Sequence, residues 1–256
     1  MKRARFSAGP HSLSALVRDG GSECIVWIHG IGLSANSFAS AFEAPQFSGF
    51  GMCAVDLLGF GESQRSTSFS YTIDGHAEAV AEVLQQLPYD RIHLIGHSVG
   101  GGVAVKLSQY TGKVVSLLSL EGNLVASDCG LVTRRTASVS EEIFCQQLHP
   151  QFRMELLARK ESPESFDQAA PYAYYRTACS IVRECDSGLL LPIFKGFKGA
   201  RAYLYGELSG EIPVVRELAP IPTVAVSNAG HMLMDDNPSE LYGAISSVVR
   251  SSSFSL

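Results

Sequence analysis

The chain has 256 residues, 46% of them hydrophobic and 18% charged, which suffices for one large core with room for an insertion and is too apolar for a disordered segment. A formal net charge of −5 offers no basic face to a phosphate backbone, so nucleic acid is excluded from the expected partners. The basic cluster Lys2, Arg3 and Arg5 runs into Ser7, Gly9, Pro10 and His11 where a secretory leader needs an apolar stretch. No run approaches the roughly 18 apolar residues of a spanning helix. The expectation is a cytoplasmic chain with no membrane partner.

Four apolar runs come first in chain order: residues 24–29 (CIVWIH), 51–56 (GMCAVD), 91–96 (RIHLIG) and 114–120 (VVSLLSL). Each is apolar without alternation, as a strand buried on both faces must be. Between the second and third, Ile73, Ala77, Val80, Leu84 and Leu87 recur at helical spacing and leave Glu78, Glu82 and Gln85 outward, the pattern of an amphipathic helix. Residues 123–195 lose the strand pattern and gain aromatics, among them Phe144, Phe152, Phe166, Tyr172, Tyr174 and Tyr175; this stretch is expected to be a helical lid. Strand-like runs resume at 199–206 (GARAYLYG) and 222–227 (PTVAVS). Asn237-Pro238-Ser239-Glu240 then offers an N-cap, a proline at the first helical position and an acid at the third, starting a final helix through Leu241, Ala244, Ile245 and Val248. The fold class expected is α/β: a mostly parallel central sheet flanked by helices, with a core made of 1–122 and 196–256 and a helical lid at 123–195.

Six cysteines, at 24, 53, 129, 145, 179 and 185, show no CxxC or other metal-ligand spacing. Cys24 and Cys53 sit inside strand-like runs and read as small buried hydrophobes. Nothing in the sequence implies a metal or an organic cofactor.

The chemistry starts at Gly96-His97-Ser98-Val99-Gly100, a G-x-S-x-G pattern between an apolar strand and the helix-forming run Gly101, Gly102, Val103, Ala104 and Val105. A sharp strand-to-helix turn that exposes a serine needs such small flanking residues. The first central strand ends in His29-Gly30-Ile31-Gly32, the second in Asp56-Leu57-Leu58-Gly59-Phe60-Gly61-Glu62-Ser63, and a late Gly230-His231 precedes the final helix.

In these motifs and their order the chain resembles the α/β-hydrolase superfamily over nearly its whole length outside the lid. The resemblance implies Ser98 as nucleophile, His231 as general base, and the backbone amides of Ile31 and Val99 as an oxyanion hole. His29 and Asp56 are expected to buttress the oxyanion loop. His231 alone among the seven histidines has the required place after the last strand.

The acid departs from the commonest pattern. Where a G-x-x-D loop would follow the strand after the lid, this chain has Gly206-Glu207-Leu208-Ser209, and a serine holds no charge. Glu121 ends the 114–120 run, the acid position of some hydrolases of this fold including a subgroup of haloalkane dehalogenases, and is the expected acid, with Glu207 and Asp128 as alternatives. Asp235 and Asp236 read as solvated charges ahead of the final helix.

The expected function is a serine hydrolase cleaving a small to medium, largely apolar carboxylic ester through an acyl-enzyme, with Phe38, Phe60 and Val99 as candidate pocket residues and a small molecule as partner. The same three side chains would serve a lactonase, a thioesterase or a carbon–carbon bond hydrolase, and a non-catalytic ligand receptor on the same fold is the alternative of another class.

Overall fold

The structure, a computed structural model, describes residues 1–253. Its centre is an eight-stranded sheet in the order β1-β2-β4-β3-β5-β6-β7-β8. The strands are β1 (Lys2–Ala8), β2 (His11–Arg18), β3 (Glu23–Ile28), β4 (Gly51–Val55), β5 (Arg91–His97), β6 (Val114–Leu120), β7 (Ala200–Gly206) and β8 (Thr223–Val226). All pairings from β4 through β3 to β8 are parallel, while β2 runs antiparallel to both β1 and β4.

The parallel strands are apolar on both sides because both faces are covered. In β3, Cys24, Val26 and Ile28 enter one core cluster and Ile25 and Trp27 the other. On the first face pack helices α1 (Ile73–Gln86) and α2 (Val99–Leu107), through residues such as Val80, Leu84 and Val103. On the second face lie Phe38, Phe42 and Phe47 and the last helix.

Local signals account for the helix boundaries. Thr72 caps α1, its hydroxyl accepting the Gly75 amide at 3.0 Å, and Glu78, Glu82 and Gln85 are exposed as the spacing predicts. The expected final helix spans Pro238–Ser253, with Asn237 Oδ1 accepting the Glu240 amide at 3.3 Å.

Between β6 and β7 the chain is helical and contributes no strand to the sheet. Its main helices are α3 (Leu131–Ala137), α4 (His149–Ala158), α5 (Glu164–Asp167), α6 (Pro171–Ser187) and α7 (Leu190–Gly196), so the final helix is α8. The insertion packs on the α1/α2 face and is tied to the core by the Ala170 amide on Gly59 O at 2.8 Å, the Ile73 amide on Ser180 Oγ at 2.9 Å, and the hydroxyls of Ser34 and Ser165 at 3.0 Å.

The β1–β2 hairpin is not among the expected strands, and the basic cluster of Lys2, Arg3 and Arg5 lies on its first strand. Ala8 pairs with His11 across a two-residue turn, where Gly9 has φ +52°, a conformation that glycine adopts without penalty. Charged side chains on this outermost strand suit an edge that must not recruit another sheet. No helix among the described residues is long and apolar enough to cross a membrane.

Candidate active site

Ser98 stands where β5 ends and α2 begins, at φ +52° and ψ −123°. A non-glycine residue in this region stores strain of about 1–3 kcal/mol, and the neighbouring backbone holds it there. The Ser98 amide donates to Leu120 O at 3.0 Å, and Ser98 O accepts the amides of Gly101 at 2.8 Å and Asn123 at 3.1 Å. The glycines of the turn are dictated by contact: a methyl on Gly100 would fall on the carbonyls of Ile28 and His29, and one on Gly96 on the backbone of Gly100 and Gly101.

The loop after β3 lies against the serine. A Cβ built on Gly30 would sit 3.1 Å from Ser98 Cβ and 3.0 Å from His97 Nδ1, so a side chain there would crowd both. His29 is buried, with Nδ1–H donating to Gly30 O at 2.7 Å and Nε2 accepting the Leu57 amide at 3.0 Å. Burial lowers its pKa and keeps the ring neutral, as both bonds require. Asp56, fully buried, accepts the Ala35 amide at 2.7 Å on Oδ1, and the Arg3 guanidinium at 2.7 Å and the Glu62 amide at 3.1 Å on Oδ2. His29 and Asp56 therefore brace the loop carrying Ile31. Neither the Ile31 nor the Val99 amide has a backbone partner among the described residues.

Glu121 and His231 meet. The Nδ1–H of His231 donates to Glu121 Oε2 at 2.7 Å, and Glu121 Oε1 accepts the Gly206 amide at 2.8 Å and the Ser209 hydroxyl at 2.5 Å. Burial pushes the Glu121 carboxyl up, but the bonds from His231, Ser209 and Gly206 outweigh it and hold the group below the ordinary glutamate value. The Glu121 side chain is 8% exposed and that of His231 52%, so a dry carboxylate faces an imidazole whose far side reaches solvent. With Nδ1 committed to Glu121, Nε2 makes no hydrogen bond among the described residues. The ring of His97, next to Ser98, lies 4.7 Å from that of His231, and its Nε2–H donates to His231 O at 2.9 Å. Among the described residues no direct hydrogen bond joins Ser98 Oγ to His231; His97, the residue before Ser98, is the one that touches His231.

The other acids have different work. Glu207 accepts the Asn228 amide at 3.2 Å. Asp128 takes the Leu124 and Val125 amides at 2.9 and 3.0 Å, its carboxyl pushed up to about 6 by burial. Asp236, read from sequence as a solvated charge, accepts the Gly230 amide at 2.8 Å and so shapes the turn leading into His231.

Of the pocket candidates, Phe38 needs correction. Phe38 has no exposed surface and packs on Trp27 at 5.1 Å between ring centroids, on the sheet face away from the insertion. It is core, because the helical turn after the Gly30 loop carries it beneath the sheet. Phe60 is also buried, its ring 5.6 Å from that of His29, and Val99 is 1% exposed. The side chains that do reach the loop come from the insertion: a Cβ on Gly32, at φ +71°, would lie 2.9 Å from Tyr174 Cε2 and 3.3 Å from Phe166 Cδ2. Tyr174 in turn stacks on Phe144, and Phe166 on His149. The sequence carried the aromatic content of this stretch but not which rings would face the loop.

Known proteins place the chain. Among curated relatives, a probable lysophospholipase, BODYGUARD 4 of Arabidopsis thaliana, is 31% identical over 101 residues, 39% of this chain and 24% of its own. The chain spans only 33% of the length of the mycobacterial relatives that it matches. Among solved structures, an N-acyl homoserine lactonase, AidH, complexed with N-butanoyl homoserine superposes at a TM-score of 0.79 with 18% identity, covering 100% of this chain and 98% of that one. A thermophilic esterase from Thermogutta terrifontis does so at 0.73 with 21% identity, covering 98% and 99%. The model of the alpha/beta hydrolase fold family matches residues 23–188, well over half the chain, and the chain belongs to that family.

Proposed function

We propose that this hydrolase is a serine esterase: Ser98 Oγ attacks the carbonyl of a small to medium, largely apolar carboxylic ester, His231 takes the hydroxyl proton on Nε2, and Glu121 orients the imidazole and offsets its positive charge. The amides of Ile31 and Val99 bind the oxyanion of the tetrahedral intermediate. His231 then returns its proton to the leaving alcohol, and water, deprotonated by the same imidazole, releases the acid. No step calls on a metal or an organic cofactor.

The observation that carries the reading is the 2.7 Å bond between His231 Nδ1 and Glu121 Oε2 beside a serine at φ +52°. It also weighs against a ligand receptor that has lost turnover, since that alternative drew its support from the missing aspartate at Ser209. Residues 123–195 are read as the lid over the site, on a core of 1–122 and 196–256, with the rings of Phe166 and Tyr174 against the oxyanion loop supporting an apolar acyl group. The six free thiols suit a reducing, cytoplasmic setting.

A fluorophosphonate probe tests the assignment. The wild-type protein is expected to be labelled and Ser98→Ala to escape labelling; a folded wild type that resists the probe would overturn it. Turnover across p-nitrophenyl esters of rising acyl length, alongside lactones and thioesters, then ranks the substrate classes.

A further inference from the structure

The Glu121–His231 pair depends on a third side chain that belongs to neither motif. Glu121 is a buried carboxylate, and each of its oxygens must find donors, since an unpaired buried oxygen is costly. Oε2 is taken by His231, and Oε1 by the Gly206 amide and the Ser209 hydroxyl, the latter at 2.5 Å the shorter. Ser209 is the one side chain that meets Oε1 among the described residues. It arrives from the loop after β7, whereas Glu121 follows β6. Glu121 itself is in an uncommon backbone conformation, φ +42°, with its amide on Leu204 O of β7 at 2.9 Å. The β7 loop also packs on the segment before His231, since a methyl on Gly206 would strike the carbonyls of Ala229 and Gly230. One short loop thus touches both the carboxylate and the approach to the imidazole.

We propose that Ser209 is a positioning residue of the hydrolytic site. Its hydroxyl donates to Oε1, fixes the rotation of the carboxylate so that Oε2 faces His231 Nδ1, and helps keep the group ionised inside the protein. A serine suits this loop because Glu121 supplies the charge from the neighbouring strand; a second carboxylate at 209 would repel it at hydrogen-bond distance. The inference rests on the triad reading above.

The test compares Ser209→Ala, Ser209→Thr and Glu121→Gln by steady-state kinetics from pH 5 to 9 on one activated ester, with the fold of each followed by circular dichroism. A hydrogen bond to a charged group corresponds to about a tenfold change or more. Ser209→Ala is therefore expected to lose about tenfold or more in kcat with KM little changed. Losing one of the bonds that keep Glu121 ionised raises the proton affinity of the Glu121–His231 pair, so its protonation, the acidic limb of the kcat/KM profile, moves to higher pH. Ser209→Thr, which keeps the hydroxyl, restores both. Wild-type kcat and an unmoved acidic limb in Ser209→Ala, beside an impaired Glu121→Gln, would sink this inference and leave the triad standing. A loss in Ser209→Ala with an unshifted profile and no recovery in Ser209→Thr would reduce the residue to a structural one. Full activity in Glu121→Gln would remove the triad reading and this inference together.

Discussion

His231 Nδ1 and Glu121 Oε2 lie 2.7 Å apart although 110 residues separate them in the chain. Two carboxyls closer to His231 in sequence, Asp235 and Asp236, are not its partners; Asp236 binds the Gly230 amide instead. An imidazole that becomes cationic during reaction gains most from an ionised acceptor on its far nitrogen. Glu121→Gln is expected to lower kcat by about 10³–10⁴-fold with little change in KM, while Glu207→Gln, whose carboxylate holds a loop amide, stays near wild type. Steady-state kinetics on one ester reads both, and the reverse ranking would move the acid to the β7 loop.

Ser98→Ala removes the atom proposed to attack. With side chains that act as a unit, loss of the nucleophile costs about 10⁶-fold in kcat. Initial rates on an activated ester, with mass spectrometry to exclude wild-type carry-over, decide the matter; near-full turnover in the variant would be incompatible with the mechanism.

Two glycines should separate folding from chemistry. A methyl at Gly100 meets fixed backbone carbonyls of Ile28 and His29, an overpacking that costs about 1–3 kcal/mol or more, so Gly100→Ala should unfold at distinctly lower urea than wild type. At Gly30 the neighbours are side chains, Ser98 Cβ at 3.1 Å and His97 Nδ1 at 3.0 Å. Gly30→Ala should therefore keep most of its stability and lose kcat. Equal urea midpoints for the two variants would contradict this division.

Acid should weaken the fold before it protonates the Glu121 carboxylate. Burial lowers the pKa of both His76 and His97 to about 3, whereas an unfolded histidine titrates near about 6.5. Between those values the unfolded chain binds protons that the native state refuses, so stability declines as pH falls through that window, by about 1 kcal/mol per pH unit for each group. Asp128, raised to about 6, works the other way between that value and the roughly 3.9 of an unfolded aspartate, because the native state there binds the extra proton. The net expectation is lower stability at pH 5 than at pH 7, and a shallower slope in His76→Gln. Urea unfolding at the two pH values checks it, and a flat profile would count against the buried neutral rings.

The parallel strands were legible because two covered faces demand unbroken apolar runs, and Trp27 and Val26 do point into opposite clusters. The β1–β2 hairpin was not, since Lys2, Arg3 and Arg5 crowd the start of an edge strand that needs little burial. The Glu121–His231 contact could be foreseen because an acid closing the apolar run of β6 has few other reasons to be there. The role of Ser209 could not, because a hydroxyl donating to a carboxylate on another strand leaves no trace in spacing. Phe38 was misplaced for a related reason: nearness in sequence to Gly30 does not say on which side of the sheet a ring will lie.

The tie between Arg3 and Asp56 gives the outermost strand a stake in the proposed reaction. The carboxylate gripped by that guanidinium also anchors the Ala35 and Glu62 amides, at the two segments that frame the turn behind Ile31. Fraying at the rim of the sheet would leave this buried anion short of a countercharge and slacken the bracing of a turn several strands away. Under the proposed mechanism, peripheral damage would then register first as weakened oxyanion capture, while the bulk of the fold still melts as one.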